Sequence, residues 1–360
     1  MRMALDLAIK GVGHTSPNPM VGCVIVKDGR IIGKGYHEKC GELHAERNAI
    51  KNSTEDLSGA TMYVTLEPCC HYGKTPPCTE AIIENKIKRV VVGCTDNNPL
   101  VSSKGIKILR DAGIIVDVGV LSDECRRINE VFFHYIETKR PYIVMKYAMT
   151  LDGKIATYSG DSKWISCSES REHVHTLRKR YKGIMAGIET VIKDDPMLNC
   201  RIEDGVDPVR IICDSHLRID INSNIVKSAK DIQTIIATNS TDKKAKALKD
   251  YGIEVINIDN NDESFVDFNK LMDILGSKGI DSILVEGGGT IHGELLKLGL
   301  INKVYVYIAP KIVGGLEAPS PVKGRGFNYM KDALTLKNVT YETIGTDIVV
   351  SGYVDTNRKE

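Results

Sequence analysis

Apolar positions along the first 140 residues change period several times. MVGCVIVKDGRIIGKGYHE reads as two apolar runs around a Lys-Asp-Gly-Arg turn, which predicts a β-hairpin. ELHAERNAIKNS follows with helical spacing, since Ala45, Asn48 and Ala49 fall within one turn of each other. ATMYVTLEPC is then a strand that runs into a cysteine-bearing loop, and CTEAIIENKI is a short helix. RVVVGCTD is continuously apolar, the signature of a strand buried on both faces of a parallel sheet. GIKILRDAGIIVDVGVL repeats the helix-then-strand order, and the N-terminal MRMALDLAIKGVGHTSPNP, interrupted by Asp6 and Lys10, predicts an amphipathic helix. Alternation of this kind builds an α/β layered domain.

A second series begins after a polar stretch. In FHYIETKRPYIVMKYAMTLDGKIA, the ETKR segment and Pro141 precede a fresh apolar strand, which sets a domain boundary near residues 139 to 145. The expected domains are therefore residues 1–144 and 145–360. From there the strand and helix patterns continue through RYKGIMAGIETVIKDD, PVRIICDSH, TIIATN, DSILVEGGGTIHGELLKLGLI and KVYVYIAPKIVGG, with no internal repeat. KVYVYIAP reads as an apolar edge strand, which favours a homo-oligomer.

Composition narrows the class. A chain of 360 residues exceeds what a single core usually supports, so two domains are expected. Lysine and arginine total 48 against 47 acidic residues, a net charge of +1. That balance argues against a nucleic-acid or membrane binder, although a few local cations can still hold a phosphate. No apolar run approaches the roughly 20 residues of a membrane-spanning helix. Ten cysteines scattered up to Cys213 point to reduced thiols in a cytoplasmic protein.

Two stretches carry chemistry. His44-Ala45-Glu46 opens a helix, and Pro68-Cys69 and Cys78 follow one strand later. One imidazole and two thiolates give zinc three protein ligands and leave a position for water, which the metal acidifies toward a hydroxide nucleophile. Glu46 is then placed to shuttle protons, the arrangement of hydrolytic aminopyrimidine deamination. The usual second motif is P-C-x-x-C, whereas here Tyr72 stands three after Cys69. Cys70, His71 and Cys78 compete for the second ligand. Adjacent cysteines point apart in extended chain, and Cys78 opens a helix whose N-terminus favours the thiolate, so Cys69 with Cys78 is the best pair. The competing reading is a structural zinc site with Cys70 or His71 as fourth ligand. The second stretch, LVEGGGTIHGELLK, is a strand, a glycine run and a helix, whose backbone N–H groups suit a phosphate. It is neither a G-x-G-x-x-G fingerprint nor a P-loop, and such a run can equally be a tight connection.

SPNPMVGCVIV, HAE and EPCCHYGKTPPC, with MKYAMTLDGKIA, SGDSKWIS, GIETVIKDDPMLNCR and LVEGGGTIHGELL, resemble the bifunctional riboflavin-biosynthesis deaminase–reductase family over nearly the whole chain. The G-K-T-P-P-C loop and the D-D-P-x-L-x-x-R run are the specific parts. The resemblance implies an α/β protein of two domains, an N-terminal cytidine-deaminase-like α/β/α layer and a C-terminal dihydrofolate-reductase-like domain. It implies zinc-dependent deamination of 2,5-diamino-6-(5-phosphoribosylamino)pyrimidin-4-one, then NADPH-dependent reduction of the ribosyl group to ribityl. Carried over, the zinc ligands are His44, Cys69 and Cys78, the proton shuttle is Glu46, and Asn18, His37 and Lys74 contact substrate. In the second half the resemblance assigns NADPH to Ala148, Trp164, Thr190, Asp194, Ser215, Gly288, Gly289, Thr290 and Ile291. It assigns substrate to Ser162, Arg178, Leu198, Arg201 and Glu286. Reduction through an open imine needs a proton donor as hydride arrives, and Lys146 and Glu286 are the candidates. The partner is a small phosphorylated pyrimidine. A nucleoside or tRNA-base deaminase with an unrelated nucleotide-binding domain is the alternative, and a zinc-stabilised nucleotide-binding module is the non-enzymatic one.

Overall fold

The computed structural model describes residues 1–73, 75–98, 101–258 and 265–355. The chain forms two compact units, Met1–Lys139 and Arg140–Glu360.

In the first unit, α1 (Arg2–Ile9) precedes the hairpin β1 (Gly22–Lys27) and β2 (Arg30–Tyr36). Asp28 and Gly29 both have positive φ, 49° and 73°, as a two-residue turn matched to strand twist requires. There follow α2 (Ala45–Lys51), β3 (Thr61–Leu66), α3 (Cys78–Glu84), β4 (Arg89–Cys94), α4 (Lys104–Asp111), β5 (Ile115–Val118), α5 (Ser122–Ile128) and α6 (Glu130–Thr138). The sheet order is β2-β1-β3-β4-β5, with β1 antiparallel to both neighbours and β3, β4 and β5 parallel. The expected buried strand is β4, and Val90 and Val92 lie in the core with Met62 and Val64 of β3. Helix α2 rests directly on β2, because Gly35 has no side chain: a Cβ there would lie 2.3 Å from Ala49 N. That close approach carries the first turn of α2 to the mouth of the sheet.

The second unit begins with β6 (Tyr142–Thr150), then α7 (Ser168–Arg180), β7 (Gly183–Gly187), α8 (Ile188–Asp194), β8 (Val209–Cys213), α9 (Asn224–Lys227), β9 (Thr234–Thr238), α10 (Lys244–Asp250) and β10 (Glu254–Asn257). It continues with α11 (Phe268–Ser277), β11 (Ser282–Gly287), α12 (Gly289–Lys297), β12 (Lys303–Ala309), β13 (Leu336–Ile344) and β14 (Asp347–Val354). Nine strands form one sheet in the order β10-β9-β8-β7-β11-β6-β12-β14-β13. From β10 to β12 all pairs are parallel, while β14 runs antiparallel to β12 and to β13. Both faces are covered: Met185 of β7 enters one core, and Ile184 and Ala186 enter the other. KVYVYIAP is not an edge. As β12 it pairs with β6 and β14, and the edges are β10 and β13. Continuous apolarity here marks burial on two faces of an interior strand and carries no sign of an exposed edge.

Candidate active sites

In the first unit the cysteine loop closes over the start of α2. His44 is the extended residue before the helix, Cys69 follows β3, and Cys78 is the first residue of α3. His44 Nδ1 lies 3.4 Å from Cys69 Sγ and 3.5 Å from Cys78 Sγ, and the three atoms are all within 4.8 Å of one another. Ligand atoms around tetrahedral zinc stand roughly 3.5 Å apart, so this set fits the ion through Nδ1. Cys78 donates its backbone N–H to Cys69 Sγ at 3.3 Å. Hydrogen bonding from Cys78, and then from His44, pulls the Cys69 thiol down to about 4 against burial. His71 is exposed, and neither it nor Cys70 joins the ligand cluster among the described residues.

Glu46 is 3% exposed and lines a pocket of about 340 Å³ together with His44, Cys69, Asn18 and His37. Burial, and after it the Cys69 sulfur, raises its carboxyl to about 7. His37 Nδ1 lies 3.1 Å from the Leu43 carbonyl and so must donate there, which leaves Nε2 to accept from Asn18 Nδ2 at 3.2 Å. Burial lowers the pKa of His37 and keeps it neutral. Lys74 lies outside the described residues.

Two supports of this site escaped the sequence reading. Arg47 donates from Nε to Pro76 O (3.1 Å) and from Nη2 to Pro77 O (2.8 Å), tying the end of the cysteine loop to α2. The buried Glu67 carboxylate accepts backbone N–H bonds from Asp96 (3.3 Å), Ser103 (3.1 Å) and Ile106 (3.2 Å). It thus fixes the chain that brings Asp96 and Asn98 to the pocket. The signal was present, a charged residue closing an apolar strand in L-E-P-C. Burial raises Asp96 to about 6.

In the second unit, the Glu286 carboxylate on β11 receives Arg178 of α7, Nε at 2.6 Å and Nη2 at 3.0 Å, with Lys146 Nζ of β6 at 3.5 Å. Burial disfavours its charge, but Arg178 and Lys146 outweigh it and hold Glu286 down to about 2. Burial lowers Lys146, whose ammonium also stands 5.7 Å from the Tyr307 ring centre. Arg178 Nη1 reaches Asn199 O at 2.9 Å, which draws in the Leu198–Arg201 turn. His175 accepts the Arg201 N–H on Nδ1 at 3.2 Å, and burial, then Arg178 and Arg201, pushes His175 down to about 4. Nothing in the helical pattern of α7 singled out His175.

The cofactor candidates divide. Ser215, Gly288, Thr290 and Ile291 line a second pocket of about 340 Å³ at the carboxyl ends of β7, β8 and β11. A Cβ on Gly288 would come 3.5 Å from Thr190 Oγ1, so Thr190 adjoins the same glycine turn. Gly289 is buried under Ser320 and Pro321. Ala148, Trp164 and Asp194 do not line this pocket, and Asp194 ends α8 exposed. Trp164 is 64% exposed, contrary to the usual core tryptophan, with the Arg171 guanidinium 4.5 Å from its ring centre. Ser162 lies on the same loop after β6. The glycine turn, the hydroxyls of Thr190, Ser215 and Thr290 and the pocket they adjoin suit a dinucleotide.

Residues 1–94 match the cytidine and deoxycytidylate deaminase zinc-binding region, and residues 141–350 match the RibD C-terminal domain. The riboflavin biosynthesis protein RibD of Actinobacillus pleuropneumoniae is 50% identical over 97% of this chain and 93% of its own. That of Aquifex aeolicus is 44% identical over 97% and 96%. Among solved structures, Acinetobacter baumannii RibD superposes with a TM-score of 0.88 at 36% identity, covering 99% of this chain and 98% of that one. A Thermotoga maritima diaminohydroxyphosphoribosylaminopyrimidine deaminase/5-amino-6-(5-phosphoribosylamino)uracil reductase gives 0.85 at 38% identity, covering 98% and 97%.

Proposed function

Because the chain belongs to the RibD family of riboflavin-biosynthesis deaminase–reductases, we propose specific roles for its residues in that two-step chemistry. The protein is a bifunctional enzyme, a zinc-dependent hydrolase in its first unit and an NADPH-dependent oxidoreductase in its second. A nucleoside or tRNA-base deaminase with an unrelated second domain is not favoured, since the second unit matches the RibD reductase domain.

The observation that carries the residue assignment is the convergence of His44 Nδ1, Cys69 Sγ and Cys78 Sγ beside buried Glu46 in an open pocket. His44, Cys69 and Cys78 would hold zinc there, and the metal would supply Lewis-acid activation of water. Glu46 would take a proton from the attacking water and deliver it to the ring amino group, which leaves as ammonia. Asn18 and His37 orient the ring, and Lys74 holds the ribose phosphate. In the second unit NADPH supplies a hydride. Glu286, held at about 2, is ionised at neutral pH and cannot donate a proton, which leaves that role to Lys146. Arg178 positions Glu286 through its paired bonds, and Arg201 takes the phosphate while Ser162 and Leu198 flank the substrate. Ala148, Trp164, Thr190, Asp194, Ser215 and Gly288–Ile291 hold the cofactor. Deamination precedes reduction, and the protein works as a cytoplasmic homo-oligomer. Exposed Tyr341 and Ile348 on the outer strands β13 and β14 support self-association.

Supplying the phosphoribosylaminopyrimidine with and without NADPH tests the reading. Mass spectrometry is expected to show a deaminated product alone without cofactor, and a deaminated and reduced product with it. A reduced product that keeps its ring amino group would overturn the order.

A further inference from the structure

NADPH differs from NADH by one phosphate, and the second unit holds a group placed to read it. This inference rests on the cofactor reading above. Hydride must reach the substrate beside Lys146 and Glu286 on β6 and β11, and the pyrophosphate suits the glycine turn that opens α12. The remaining, adenosine end of the cofactor then runs to the opposite side of β11. There the pocket passes β7 and β8, lined by Glu189, Ser215, His216 and Arg218. Arg218 is the one permanently charged cation among the described residues that line it.

The loop bearing Arg218 is set by the fold. Asp214 at the end of β8 is fully buried, and its carboxylate accepts the N–H groups of Arg218 (2.9 Å) and Ile219 (2.8 Å). Leu217, at φ 51°, turns the chain, and Lys244 Nζ holds its carbonyl at 2.9 Å. Across the pocket, Glu189 in the first turn of α8 meets Arg218 Nη2 at 2.7 Å. Dinucleotide sites distinguish the two cofactors by such a pair: a carboxylate accepts the ribose 2′-hydroxyl, whereas an arginine accommodates the 2′-phosphate.

We infer that Arg218 selects NADPH by binding its 2′-phosphate, and that Glu189 holds the guanidinium in position until the phosphate replaces it. The exchange trades one exposed ion pair for a forked, charge-assisted contact. Glu189 then opposes the phosphate, so removing its charge strengthens binding of the phosphorylated form.

Calorimetric titration of the full-length protein with 2′-phospho-ADP-ribose and with ADP-ribose tests this without turnover. The native protein is expected to prefer the phosphorylated ligand. Arg218→Ala should weaken that ligand by about 10–100-fold, the value of a charged hydrogen bond, and leave ADP-ribose within about threefold. Retained ADP-ribose binding also reports an intact fold. Glu189→Gln should tighten the phosphorylated ligand and not ADP-ribose. Equal loss of both ligands in Arg218→Ala, or loss of neither, would overturn the assignment. Absence of any preference in the native protein would instead sink the cofactor reading on which it stands.

Discussion

Single side chains in this protein do work that their positions in the sequence reveal unevenly. His44, Glu46, Cys69 and Cys78 were legible because zinc chemistry demands those residue types at a short spacing. The fold adds only the atom used, Nδ1, and the exclusion of Cys70 and His71 from the cluster. Glu46→Ala should lose roughly 10²–10⁴-fold in deamination, while reduction assayed on the deaminated intermediate stays unchanged. His175, Arg178 and Glu286 were harder to read, because their meaning lies in partners more than twenty residues away. His175 makes a prediction about pH. Its folded pKa of about 4 lies below the ordinary 6.5, so the folded protein binds its proton less readily than the unfolded chain does. The stability it contributes is complete above pH 6.5 and is lost as pH falls toward 4. Urea unfolding followed by Trp164, the only tryptophan and a residue of this unit, should show that decline, and His175→Gln should flatten it.

Among elements, the hairpin and the helix–strand alternation were legible from local signals, above all the Asp28-Gly29 turn. The strand order was not, since parallel strands pair with partners far along the chain. Two close approaches between elements carry measurable consequences. A Cβ at Gly105 in α4 would lie 2.2 Å from the Pro68 carbonyl, between the helix and the residue before Cys69. Gly105→Ala should therefore cost the first unit about 1–3 kcal/mol and weaken zinc retention on dialysis, with the reductase untouched. Arg210 of β8 is fully buried and faces no carboxylate among its hydrogen-bond partners. Its guanidinium donates to the carbonyls of Met197 (3.2 Å), Ile225 (3.0 Å) and Ile232 (3.2 Å) and to the hydroxyls of Thr234 and Ser228. Arg210→Met leaves those acceptors dry and should destabilise the second unit by about 3–5 kcal/mol in chemical denaturation. Because Met197 adjoins Leu198, the variant should also raise KM for the reductase substrate.

Across the whole molecule, the two chemistries depend on separate sets of groups. Zinc chelation should abolish deamination and leave reduction of the deaminated intermediate intact, measured on one preparation. Loss of both together would mean that the second unit needs the metal. A length of 360 residues and the polar stretch before Pro141 are the signals behind the expected domains 1–144 and 145–360, whereas the compact units meet between Lys139 and Arg140. The second unit also differs in how its sheet is threaded. Strand β6 is its first strand, yet its neighbours β11 and β12 come near the end, so Tyr142 waits for Ser282 and Val144 for Lys303. On a ribosome adding roughly 5–20 residues per second, that wait lasts on the order of 10–30 s. Throughout it the apolar run YIVM has no strand to pair with, while every strand of the first sheet has already emerged. Nascent chains should thus gain a protease-resistant, zinc-binding first unit early, and the reductase should be the part that calls on chaperones.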